Sequence, residues 1–139
     1  MHTTLLHATD LAENHFKMCE RAVDIAKRLN AKLHILHVVE TPPSMVLAQG
    51  LGFTEIEDPT QLVEDAKSVL AVLGEALAIP KSLLSVELGS PKTHILQKAS
   101  SLDCQMIIIG HRRNNNILLG NTGQYIIAEA LCDVLTLKE

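Results

Sequence analysis

The chain has 139 residues, of which 47% are hydrophobic and 2% aromatic, and its formal net charge at pH 7 is −4. This length suits one domain, residues 1–139, with an aliphatic core. The acidic balance and the shortage of aromatic side chains argue against nucleic-acid binding, which relies on basic surfaces and base-stacking rings.

Three cysteines, Cys19, Cys104 and Cys132, occur without a Cys-x-x-Cys pair. This pattern argues against a disulfide framework or a zinc site, and we expect three buried, unreactive thiols. No run approaches 18 consecutive apolar residues, and the first residues do not pair a basic segment with an apolar one. We therefore expect a cytoplasmic protein without a membrane partner.

The first half of the chain predicts alternating strands and helices, separated by turn residues. Apolar residues recur at helical spacing before Asn30, which suits a left-handed helix stop. Residues 40–57 contain two prolines and two glycines and predict a long loop with a short turn near Val46–Ala48. The predicted elements are a strand at Thr3–Ala8, a helix at Glu13–Leu29, a strand at Lys32–Val39 and a helix capped by Asp58 and opening at Pro59.

The second half continues the same alternation. Ser90-Pro91 is a typical helix start, with a capping residue followed by proline. Five strands and four main helices in strict alternation predict a parallel sheet with helices on both faces. The predicted elements are a strand at Ser82–Leu88, a helix from Ser90, a strand at Gln105–Ile109, a helix at about Leu119–Leu131 and a strand at Asp133–Leu137.

Catalytic and metal-binding motifs are missing from the sequence. His34 and His37 are three residues apart on a predicted strand, which places them on opposite faces and makes them poor joint metal ligands. We expect each to be a hydrogen-bonded core or edge histidine. Neither Gly-x-Ser-x-Gly nor His-Glu-x-x-His occurs. The residues therefore predict no catalytic group, no metal site and no enzyme.

Four segments, taken in order, resemble the universal stress proteins over nearly the whole chain. They are Leu5–Asp10, Ala22–Glu40, Gly89-Ser90-Pro91 and Ile107–Gly110. The resemblance implies a single-domain sheet in the order 3-2-1-4-5, similar to the adenine-nucleotide α-hydrolases. It also implies a homodimer in which the fifth strands pair, which would cover an apolar sheet edge. The strand residues concerned are Val134, Leu135, Thr136 and Leu137.

ATP-binding members of that family carry Gly-x2-Gly-x9-Gly followed by Ser or Thr, a loop that holds phosphates with backbone amides. Here Gly110 matches the first glycine, Arg113 stands at the second, and Gly120 with Asn121 stands at the third, three residues early. An ungapped match would use Gly123, inside the predicted helix. The degenerate loop resembles that of the UspA-like subfamily, which is not regarded as ATP-binding, so we expect no cofactor.

A nucleotide site remains an alternative. His111, Arg112 and Arg113 are cationic or can become so, and arginine can replace loop amides as a phosphate ligand. Asp10 and Val38 match the family positions that touch ribose and adenine, although they equally suit a turn cap and a core residue. The alternative is an ATP- or AMP-binding protein or weak ATPase that uses Asp10, Val38, Gly110, Arg113, Gly120 and Asn121.

A third hypothesis is an enzyme such as a nucleotide α-hydrolase. It requires a Ser-Gly-Gly-rich pyrophosphate loop after the first strand, and residues Thr9–Glu13 lack one. The sequence and the resemblance together predict a cytoplasmic, homodimeric stress-response binding or regulatory protein. Its protein partner is not identified by the sequence.

Overall fold

The computed structural model describes residues 3–40, 50–52, 59–111 and 117–138. The predicted turn at Val46–Ala48, the Asp58 cap and Arg113 lie outside these ranges. The strands are β1 Thr3–Ala8, β2 Ala31–Val39, β3 Leu84–Leu88, β4 Met106–His111 and β5 Asp133–Lys138. Four α-helices lie wholly within these ranges: α1 His15–Arg28, α2 Pro59–Ala76, α3 Pro91–Ser101 and α4 Ile117–Glu129.

The five strands form one parallel sheet in the order β3-β2-β1-β4-β5, which confirms the predicted fold. β1 lies in the middle, with Leu6 paired to His34 of β2 on one side and to Ile107 of β4 on the other. The strand order reverses between β1 and β4. In open α/β sheets, ligands bind at such a reversal, beyond the carboxyl ends of the strands.

Aliphatic cores on the two faces of the sheet hold the helices in place. α1 and α2 cover the face that contains Leu5 and Ile108. α3 and α4 cover the face that contains Leu6 and Ile107. Successive residues of a strand point to opposite faces, so uninterrupted apolar runs supply both cores. The predicted two-sided helix cover is therefore confirmed.

Two predicted helix boundaries follow from local chemistry. α1 ends before Asn30, which adopts φ = 52° as expected for a left-handed stop. α3 begins at Pro91, whose missing N–H needs no partner in the first turn, with Ser90 in an extended conformation before it. The Ser90 side chain makes no capping hydrogen bond.

Several predicted bounds were wrong. Residues Lys81–Leu83 form a 3-10 turn, so the third strand starts at Leu84 rather than Ser82. β4 continues through Gly110 and His111 because both residues still pair with β5. α1 starts at His15, two residues later than predicted, after a turn made by the residues that follow β1.

α4 spans Ile117–Glu129, a shift of two residues toward the start of the chain. Gly120 is therefore inside the helix, as Gly123 is, which removes the reason for preferring Gly120 as the third loop glycine. Three apolar residues that fit the helical spacing are 41–53% exposed, because each helix contacts the sheet through a narrower stripe than its apolar pattern: Phe16, Leu29 and Val69.

Cys19 and Cys104 are buried as predicted, whereas Cys132 is half-buried. In the described part of the chain, no helix combines the length and apolar character needed to cross a bilayer.

Candidate functional site

A cleft of about 390 Å³ opens at the carboxyl ends of β1 and β2. Its walls come from the two strands, from the starts of α2 and α3 and from α4. The volume falls in the range of small-molecule sites, roughly 300–1,000 Å³. This is the edge of the sheet where the strand order predicts a ligand site.

The turn after β1 places Asp10 at the cleft. Its Oδ1 accepts a hydrogen bond from the Ala12 amide at 3.0 Å, while Thr9 Oγ1 accepts one from the Leu11 amide at 3.1 Å. His37 of β2 donates from Nδ1 to the Thr9 carbonyl oxygen at 2.8 Å. The turn is thus tied to both strands, which fixes the carboxylate at the mouth of the cleft.

Val38 and Thr122 form two further parts of the wall. Val38 is 8% exposed and presents an apolar surface near the end of β2. Thr122 is also 8% exposed and brings a hydroxyl group from α4. The arrangement offers one carboxylate, one apolar face and one hydroxyl to a bound molecule.

The sequence did not identify Thr122 as a site residue, because the ATP-binding motif places its Ser or Thr directly after the third glycine. Asn121 occupies that position and is exposed on α4. One residue later the helix turns toward the sheet, and Thr122 shares its buried side with Ile126, four residues further on. That helical spacing was the signal available in the sequence.

The charged groups on the described walls of the cleft are acidic. Asp10 and Glu40 are carboxylates, and no lysine or arginine in the described ranges lines the cleft. His37 uses Nδ1 to hold the Thr9 carbonyl. These walls favour a neutral or cationic ligand over a polyanion.

The structure brings together Asp10 and Val38 among the predicted nucleotide-site residues. Gly110 lines a smaller cavity of about 20 Å³, which Asp10 also lines from the turn after β1. Gly120 is part of the α4 backbone, and Asn121 is outside the cleft lining. Arg113 lies beyond the described residues.

The smaller cavity meets a buried histidine of β1. His7 is 1% exposed, and its Nδ1 donates to the Ile108 carbonyl oxygen at 3.0 Å. Its Nε2 is a buried acceptor without a hydrogen-bond partner among the described residues. A cavity of about 20 Å³ exceeds the roughly 10–15 Å³ that one water molecule needs. The cavity therefore has room for one water molecule.

Burial lowers the pKa of His7 from its ordinary value of 6.5. The folded protein keeps this ring neutral, whereas the unfolded chain takes up a proton as the pH falls below 6.5. The stability contributed by neutral His7 is therefore complete above pH 6.5 and declines below it, at no more than about 1.4 kcal/mol per pH unit.

Glutamine keeps a hydrogen-bond donor but does not titrate. We therefore expect His7→Gln to weaken the dependence of the unfolding free energy on pH below 6.5. Urea unfolding of both proteins between pH 5 and pH 7.5 measures the difference. The control is His111→Gln, at an exposed position at the end of β4. Parallel profiles for the parent protein and His7→Gln would contradict the assignment.

Within the described ranges, no group of three or more His, Cys, Asp or Glu side chains is arranged to hold a metal ion.

β5 forms one edge of the described sheet and pairs with β4 alone. Leu137 is buried, while Val134, Leu135 and Thr136 are half-buried. Arg21 of α1 donates from Nη1 to the Lys138 carbonyl oxygen at 2.6 Å and holds the end of the strand. The predicted dimer residues thus lie on an outer strand.

Comparison with known proteins gives consistent matches. The universal stress protein family model matches residues 1–138. Universal stress protein A homolog 2 of Coxiella burnetii is 31% identical over 124 residues, covering 87% of this chain and 84% of that protein. Universal stress protein UspA from Lactobacillus plantarum has a similar structure, with a TM-score of 0.73, 21% identity and coverage of 98% and 97% of the two chains. A universal stress protein in complex with cAMP has a TM-score of 0.62 at 16% identity, covering 99% and 97%.

Proposed function

Because the chain belongs to the universal stress protein family, we propose that it is a UspA-like stress-response binding or regulatory protein of the cytoplasm, without catalytic activity and without tight ATP binding. The proposal that ATP does not bind tightly rests on the acidic lining of the cleft. Two like charges about 4 Å apart repel by roughly 4 kcal/mol at an effective dielectric constant of about 20. Asp10 and Glu40 therefore oppose a triphosphate at the described walls.

The phosphate-loop sequence supports the same proposal. Arg113 stands where ATP-binding members have a glycine, and Asn121 stands where they have Ser or Thr. Gly120 is within the α4 helix. Gly120 is the fourth residue of this helix, so the departures that support the proposal are the two substitutions in the loop motif.

One observation favours a second candidate, an adenosine- or AMP-binding member of the family. Asp10, Val38 and Thr122 line one cleft, and together they offer acceptors for ribose hydroxyls, an apolar wall for a base and a further hydroxyl. The solved universal stress protein in complex with cAMP shows that a related fold takes an adenine nucleotide. ATP or AMP would then be the cofactor, and weak ATPase activity would be the corresponding reaction.

Isothermal titration with adenosine, AMP and ATP distinguishes the two candidates. We expect ATP to bind more weakly than about 1 mM, equivalent to about −4.1 kcal/mol. Since salt screens repulsion, we also expect any residual ATP affinity to rise between low and high salt. Micromolar ATP binding that weakens with salt would show that cationic groups hold the phosphates, and it would overturn the first proposal.

The role of Asp10 is tested in the same experiment. If adenosine binds, Asp10→Asn weakens it by at least about tenfold, since a hydrogen bond to a charged group contributes roughly 1.5–3 kcal/mol. Asp24→Asn is the control, because Asp24 is an exposed carboxylate on α1 paired with Arg28 at 3.1 Å. Equal effects of the two substitutions would show that Asp10 does not contact the bound adenosine.

We propose that two copies of the chain pair through the edge of β5, at Val134–Leu137. An open apolar edge strand favours such pairing. Thr136→Asp would place like charges near each other in a symmetric dimer, and we expect it to shift sedimentation equilibrium toward monomer. Ser101→Asp, on the exposed end of α3, is the control and leaves the association unchanged. An unaltered dimer with Thr136→Asp would place the interface elsewhere.

A further inference from the structure

Two cysteines face one cavity at the opposite end of the sheet from the candidate ligand site. The cavity has a volume of about 330 Å³ and lies where β4 and β5 begin, beside the ends of α3 and α4. Cys104 precedes β4 and Cys132 precedes β5. Both are free thiols, with Cys104 buried and Cys132 half-buried.

The strand register brings these cysteines close together. Met106 pairs with Asp133, and Cys104 and Cys132 come shortly before these first residues of the two strands. Neighbouring strands lie about 4.8 Å apart, and both cysteines line the same cavity at the start of this strand pair. Disulfides span Cα separations of about 4.4–6.8 Å. Both side chains also belong to the apolar cluster under α3 and α4, so they lie on the same face of the sheet.

The electrostatics agree with this proximity. Burial, followed by the neighbouring Cys132 thiol, raises the pKa of Cys104 to about 11. Burial also raises the pKa of Cys132. Both groups are therefore mainly protonated thiols near neutral pH, and they require an added oxidant and react faster as the pH rises.

We propose that Cys104 and Cys132 form an intramolecular disulfide on exposure to hydrogen peroxide. The more exposed Cys132 thiolate attacks one peroxide oxygen, which gives a sulfenic acid and releases the other oxygen as water after protonation. The Cys104 thiolate then attacks the Cys132 sulfur and displaces its hydroxyl group as a second water. Two thiols and one peroxide become one disulfide and two waters, with the two electrons passing to the peroxide.

The disulfide would close a loop that contains β4 and α4. Thr122, on the cleft wall, and Gly110, at the smaller cavity, both lie inside this loop. Oxidation at one end of the sheet would thereby restrain the segment that forms part of the site at the other end.

Peptide mapping after peroxide treatment at pH 8 tests the proposal. Trypsin cleaves after Lys98, Arg112, Arg113 and Lys138, so it separates peptide 99–112, which carries Cys104, from peptide 114–138, which carries Cys132. We expect these peptides to remain linked without reductant, in a protein that stays monomeric on a denaturing gel and loses about 2 Da in intact mass. Dithiothreitol should separate them.

Three single variants provide the controls. Cys104→Ser and Cys132→Ser should abolish the linked peptide and the mass loss. Cys19→Ser should retain both, because Cys19 packs in the apolar cluster on the other face of the sheet. The measurement on the parent chain stands even if a serine variant fails to fold. Sulfinic acids on separate peptides, a link through Cys19, or linkage only between chains would each overturn the proposal.

Discussion

Replacing Ile108 by alanine is expected to lower the free energy of unfolding by about 2–5 kcal/mol, the range for truncating a large buried aliphatic side chain. Ile108 is 0% exposed on β4, next to the central strand, and packs with residues of α1 on one face of the sheet. Close packing prevents its neighbours from filling the space, so lost burial and the remaining cavity add together. Urea unfolding monitored by circular dichroism gives the difference.

Ile127→Ala is the matched control. Ile127 has the same side chain but is 57% exposed on α4. Its truncation should change stability by no more than about 0.5 kcal/mol, as at an ordinary surface position. Similar losses for the two variants would contradict the assignment of Ile108 to a dense core and Ile127 to the surface.

Gly89→Ala is expected to destabilise the fold by about 1–3 kcal/mol, the cost of holding an L-residue in a conformation that glycine alone adopts readily. Gly89 has φ = 146° between β3 and α3, and its amide donates to the Val39 carbonyl oxygen at 2.9 Å. An added Cβ would also lie 2.5 Å from Nε2 of His94. Thermal and urea unfolding measure the loss.

Two further variants separate backbone strain from crowding at this turn. Gly50→Ala is the control, because a Cβ there meets nothing within 4 Å. In a His94→Ala background the crowding disappears, and Gly89→Ala should still cost about 1–3 kcal/mol if the backbone is responsible. A Gly89→Ala protein as stable as Gly50→Ala would show that the turn accepts an ordinary residue.

The parallel sheet was predictable because its strands and helices follow from strong local signals. Uninterrupted apolar strands such as Ile107–Ile109 alternate with helices that carry one apolar stripe, and this pattern predicts a parallel sheet covered on both faces. The order 3-2-1-4-5 came from the resemblance, and the structure confirms it. Asn30 and Pro91 marked helix boundaries because the backbone conformation that each prefers depends on the residue itself and not on distant contacts.

The wrong boundaries depend on partners that local patterns do not include. Gly110 and His111 extend β4 because β5 offers backbone partners beside them. Val69 is 41% exposed although its spacing fits the apolar stripe of α2, because the sheet reaches only part of that helix. Both outcomes are set by tertiary contacts.

The candidate site was predicted in part. Asp10 and Val38 end neighbouring parallel strands, and strand order alone places them together. Thr122 depends on which side of α4 packs toward the sheet, since each successive residue is rotated by about 100° around the helix axis. His7 looked like one polar residue in an apolar strand, and its role depends on the β4 carbonyl beside it.

The central position of β1 has a consequence for synthesis on the ribosome. β1 can pair with β2 early, but its second neighbour, β4, begins about one hundred residues later in the chain. During translation the nascent sheet therefore carries an open, strongly apolar edge along Leu5–Ala8 until Met106–Ile109 emerge to cover it. The growing polypeptide is most exposed to misassociation in this interval, when chaperone cover of that edge matters most.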